Sequence, residues 1–70
     1  MSLNNAKPGD IRLIKALSGD EKKRRFLGSL GCSVGEEITL ISVLAGNYIV
    51  CIKDNRYALD YSLANSIDLA

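Results

Sequence analysis

Residue types able to do chemistry are scarce in this chain. It has no histidine, and its two thiols, Cys32 and Cys51, stand far apart in the sequence. Thiolates are soft ligands that suit Fe and Zn. A closed tetrahedral site, however, takes four donors, commonly Cys and His in close pairs such as Cys-x-x-Cys. No such pair is present. Glu36 or Glu37 beside Cys32 could add oxygen donors, which amounts to a weak transition-metal site at best. Free cysteines commonly fill small buried gaps instead, so the expectation is no metal ligands and no cofactor beyond a weak transition-metal association.

The stretch Ser-Leu-Gly-Cys-Ser-Val-Gly at 29–35 carries a cysteine and two serines among glycines, as a nucleophile or phosphate loop can. It matches neither G-x-x-x-x-G-K-[ST] nor G-x-S-x-G, and no lysine follows its last glycine. No catalytic residue is assigned, and an enzyme is not expected. Tyr48, Tyr57 and Tyr61 could line a groove for a proline-rich peptide, but such grooves need clustered aromatics, and the chain has four aromatic residues and no tryptophan.

One concentration of charge remains. Lys22, Lys23, Arg24 and Arg25 run consecutively and are followed by Phe26. Nine basic residues against eight acidic ones leave a formal net charge of +1, far from what phosphate neutralisation along a duplex requires. The four cations are therefore read either as a solvated helix face or as a docking patch for an acidic partner surface or for the anionic inner leaflet of a membrane. They are the candidate partner-binding residues.

The elements that must position these residues follow from pattern. Lys-Pro-Gly-Asp at 7–10 is turn chemistry, with Pro8 setting its own φ and Gly9 supplying the positive φ of a type II turn. A strand starts at Asp10. Its apolar alternation slips between Ile11, Leu13 and Ile14, Ala16, which predicts a bulge or bend near Leu13 and Ile14. Residues 18–31 are the one good helix candidate: Ser18 and Glu21 stand at capping-box spacing, Phe26, Leu27 and Leu30 share a core-facing side, and Gly31 is placed to end the helix in the left-handed conformation. From Glu36 the period is two, with Ile38 and Leu40 in one register and Ile41 and Val43 in the other, up to a turn at 44–47. Residues 48–53 are apolar on both faces except at the end. A two-residue turn at Asp54 and Asn55 leads to a strand in which Tyr57 and Leu59 face one way and Arg56, Ala58 and Asp60 the other. Ser62 caps a last helical turn, and residues 66–69 close with a short strand.

These elements predict one all-β domain over residues 1–70, a small five-stranded SH3-like barrel with one short α-helix between strands 1 and 2 and a helical turn before the last strand. Full barrel closure would remove exposed edges. A chain of 70 residues buries only about 60% of its unfolded surface, so the core is thin. No apolar run approaches the ~20 residues of a membrane span, and residues 1–10 have no signal-peptide pattern. A soluble, cytoplasmic protein with reduced cysteines is the expectation.

With the motifs placed, the chain resembles the FeoA family, small cytosolic proteins of bacterial ferrous iron uptake. Lys-Pro-Gly-Asp at 7–10, Arg24 through Ser42 with its spaced leucines and glycines, and the ending from Lys53 to Leu69 carry the resemblance. Asp60 departs from it where many members have arginine, as do Cys32 and the Ser-Val-Gly at 33–35. The resemblance implies an accessory or regulatory protein that binds the cytosolic region of an FeoB-type membrane GTPase, meeting the inner face of the membrane only through that partner, alone or as a homo-oligomer. It also implies a general association with transition metal ions. The other function class in view is a barrel that binds RNA or single-stranded nucleic acid; the near-neutral charge and the few aromatics count against it, and no nucleic acid partner is expected.

Overall fold

The computed structural model describes residues 1–70. A 3₁₀ turn at Leu3–Asn5 precedes strand β1 (Ile11–Leu17), helix α1 (Glu21–Ser29), strands β2 (Glu37–Leu44), β3 (Asn47–Ile52) and β4 (Asn55–Leu59), helix α2 (Tyr61–Asn65) and strand β5 (Ile67–Leu69). The strands form one antiparallel sheet in the order β4-β3-β2-β1-β5.

The slip in the alternation of β1 has the expected consequence. Residues Ile11 to Leu13 pair with β2, whereas Ile14 to Leu17 pair with β5 across a register shift between Ile14 and Ala16. One strand thus serves both halves of the sheet. Ile14 becomes core, 1% exposed, while Ile11 and Leu13 are turned outward, 60% and 50% exposed. The change of register in β2 is likewise real, a shift between Leu40 and Ser42 against β3.

Barrel closure by hydrogen bonds is not complete, contrary to the sequence-based expectation. β4 and β5 have no ladder between them. Helix α2 bridges the gap, touching β3, β4 and β5, and α1 is tied in at both ends: Lys23 Nζ donates to Ser62 Oγ of α2 at 2.5 Å, and Gly31, just beyond α1, lies against Ile52 and Lys53 at the β3–β4 turn. The outer edge of β5 is occupied by residues 1–3, whose backbone pairs with Asp68 and Leu69 and whose Leu3 side chain is 1% exposed. That 3₁₀ turn was not foreseen, because a single leucine among polar residues has no period.

Both helix caps differ from the expectation. Asp20, not Ser18, caps α1 by accepting from Lys23 N at 2.8 Å, and Asp60, not Ser62, caps α2 by accepting from Leu63 N at 2.9 Å. Ser18 is still held by the sheet, since its N–H and hydroxyl both donate to Ser66 O. Only beyond Gly19 is the chain free to turn. The β3–β4 turn also moves by one residue: Ile52 pairs with Asn55, and the two positive φ values fall at Lys53 and Asp54, not at Asp54 and Asn55. The β2–β3 turn is as expected, with positive φ at Ala45 and Gly46.

Helix α1 ends as its sequence predicts. Cys32 N donates to Leu27 O at 3.1 Å and Gly31 N to Gly28 O at 3.0 Å, the paired bonds of a Schellman stop, with Gly31 at φ +99°. A Cβ at Gly31 would lie 3.3 Å from Lys53 Cδ and 3.4 Å from Ile52 Cγ2, whereas one at Gly28 would meet nothing within 4 Å. The glycine inside the helix is therefore not required by packing. Gly28→Ala is expected to raise stability by up to about 1 kcal/mol, and Gly31→Ala to lower it by about 1–2 kcal/mol through left-handed strain, both read from urea unfolding midpoints.

Candidate functional site

Helix α1 carries the only concentrated charge, and its geometry sorts the four cations into different tasks. Successive residues turn by about 100° on a helix, so the four spread around it. Leu27, fully buried, and the half-buried Leu30 define the side that faces the core. Lys23 shares that side and is half-buried, its amine committed to Ser62. Arg24 folds its guanidinium back onto Gly19 O, and Arg25 pairs with Glu21 one turn earlier. Lys22 has no hydrogen-bond or ion-pair partner in the chain. Lys22, Arg24 and Arg25 are exposed, so three of the four candidate partner-binding residues present charge to solvent and Lys23 does not.

Phe26 overturns an expectation. It does not share the core-facing side with Leu27 and Leu30 but is 48% exposed. The reason is angular: Phe26 is turned about 100° from the fully buried Leu27, onto the flank of the helix that carries Lys22. Phe26 is thereby exposed beside Lys22 and Arg25 on a single helix, with Arg24 on the opposite flank. The one surface depression, lined by Asp20, Glu21, Lys22 and Arg25, adjoins this face and has no apolar wall.

The cysteines are placed apart. Cys32 is in the core, 1% exposed, while Cys51 is half-buried on the outward face of β3, opposite Thr39 and Arg56 on the neighbouring strands. No three His, Cys, Asp or Glu side chains come together in a group able to hold a metal ion. The donor set does not fit a resident metal, and Glu36 and Glu37 do not change this. Tyr48 and Tyr57 are half-buried on the inner side of the sheet and Tyr61 is exposed on α2, 61% accessible. No helix is long and apolar enough to cross a membrane.

Burial pushes the Cys32 thiol up to about 11 from its ordinary 9.0. The folded chain therefore keeps a proton that the unfolded chain loses first, and the stability this contributes is complete below the unfolded value and declines as pH rises from 9.0 toward about 11.

The family comparison completes the site. A model of the FeoA domain matches residues 1–70. The chain belongs to the FeoA family. That family is associated with ferrous iron transport, and membership agrees with the resemblance read from the sequence. No curated protein matches significantly. Among solved structures, the chain is similar to an iron uptake regulatory protein (FeoA) with a TM-score of 0.91 and 25% identity, over 99% of this chain and 92% of that one. It is also similar to a zinc complex of FeoA from Stenotrophomonas maltophilia, described as a prokaryotic SH3-domain protein, with a TM-score of 0.89 and 20% identity over 100% and 89% of the two chains. A manganese-dependent transcriptional repressor in complex with manganese shares the fold at a TM-score of 0.92 and 22% identity, this chain spanning 35% of that one. The five-stranded SH3-like architecture of this FeoA-family chain is thus the one expected.

A thiol-specific reagent is expected to label Cys51 rapidly and Cys32 only on unfolding. The urea midpoint should fall between pH 9 and 11, more steeply in the parent than in Cys32→Ala, in which the raised thiol is absent.

Proposed function

We propose that this protein is a non-catalytic accessory module of ferrous iron transport that docks on the cytosolic region of the FeoB-type membrane GTPase and modulates it, with the outer face of α1 as the docking site. The observation that supports this most is the composition of that face: Phe26 is exposed, with Lys22 beside it one turn earlier and Arg25 next on the same flank, while Arg24 extends the charge onto the opposite flank. An apolar centre supplies affinity and a charged rim supplies rate and orientation. The helix is anchored to the domain through Leu27 and Leu30 on its other side, so the docking residues are not consumed by folding. The protein would meet the membrane only through this partner. It would hold no stoichiometric metal of its own, a reading that rests on the dispersed donors.

Reversing Arg24 and Arg25 to glutamate is expected to slow association with the GTPase's cytosolic region by about tenfold at low salt and to flatten its salt dependence. Phe26→Ala should raise the dissociation rate, costing about 1–2 kcal/mol of binding, while changing stability by less than about 1 kcal/mol. Biolayer interferometry at two ionic strengths, with urea unfolding alongside, measures both. Unchanged association in the double reversal would remove α1 from the interface. Elemental analysis of protein purified without chelator should show well under one Fe or Zn per chain.

A further inference from the structure

The outward face of the sheet is apolar where the fold gives no reason for it to be. Antiparallel sheets with one face on the core alternate apolar-in with polar-out. Here β3 is apolar on both sides: Val50 and Ile52 are in the core, while Ile49 and Cys51 face outward. Residues 38–52 contain no charged side chain at all. Directly paired residues share a face. The register places Ile11, Thr39, Cys51 and Arg56 in one outward row, Ser42, Ile49 and Ala58 in the next, and Leu13 with Glu37 at the margin. Ile11 and Leu13 are 60% and 50% exposed. Neither helix nor the 3₁₀ turn covers this face, because their buried side chains, Leu27, Ala64 and Leu3, all join the core cluster on the other side.

The charges at its margins say what covers it. Glu37, in the marginal row on β2, and Arg56, at the β4 end of the Ile11–Thr39–Cys51 row, are exposed and have no ion-pair partner within the chain. A two-fold contact places the same patch against itself, so that residue i meets j and j meets i. Such a contact sets each Glu37 toward the partner copy's Arg56 twice over, with Ile11, Ile49 and Cys51 near the two-fold axis and Leu13 beside Glu37. We propose that the outward face of β1–β4 is a self-association surface whose occupant is a second copy of this chain, in a face-to-face, two-fold dimer registered by reciprocal Glu37–Arg56 pairs. Only Ile11, Leu13 and Ile49 are large apolar side chains on this face, so the dimer is reversible and concentration-dependent.

Sedimentation equilibrium over concentrations up to about 1 mM tests this, that being the range in which weak dimers populate. The parent is expected to show a monomer–dimer equilibrium. Ile49→Lys should abolish it with unchanged circular dichroism. Glu37→Arg and Arg56→Glu should each weaken the dimer by about tenfold or more, and the combined swap should restore most of the loss, since it rebuilds the reciprocal pairs with inverted sign. A parent that stays monomeric up to about 1 mM overturns the proposal, including the case in which the face binds only some other protein. So does a dimer indifferent to Ile49→Lys, or a charge swap no better than either single reversal.

Discussion

The bend in β1 is the constraint on which the rest of this small structure depends. A strand that pairs with β2 through Leu13 and with β5 from Ile14 folds one sheet back on itself, and the core of this 70-residue chain is enclosed by that fold. The register shift beside Ile14 sends that side chain inward, where it packs with Leu69, Ile38 and the other buried aliphatics. Side chains before the bend, Ile11 and Leu13, are sent outward by the same step. The core and the uncovered sheet face thus have one origin.

Small size then dictates what the helices do. With no ladder between β4 and β5, the open side is filled by α1 and α2, each begun by an aspartate cap and each contributing one fully buried residue, Leu27 and Ala64. A helix held by so few core contacts leaves most of its circumference to solvent. Phe26, Lys22, Arg24 and Arg25 are exposed for that reason.

Much of the architecture was legible in the sequence because it rests on local chemistry. The phase slip in β1, the period-two runs of β2 and β4, the Ala45-Gly46 turn and the Gly31 stop are each written in a few adjacent residues. The misreadings share a different cause, which is that tertiary contacts chose between locally equivalent options. Ser18 is as good a cap as Asp20 until the ladder to Ser66 claims it, and Lys53-Asp54 replaces Asp54-Asn55 because the β3–β4 register is set by burying Val50, Ile52 and Leu59. Leu3 gave no signal, lying alone among polar residues. At the candidate site the cation run was visible, but the division of labour among its members was not. Which of the four meets Ser62, and whether Phe26 points in or out, depends on where α2 and the thin core lie.

The central claim is that α1 displays a docking face that the fold does not itself use. Its most direct test is an NMR titration of the isotope-labelled protein with the cytosolic region of the membrane GTPase, following every backbone amide. Docking through α1 predicts the largest shifts at Lys22, Arg25, Phe26 and Ser29, with the amides of β2 and β3 little changed. Shifts centred on Ile11, Ile49 and Cys51, or none at saturating partner, would contradict it.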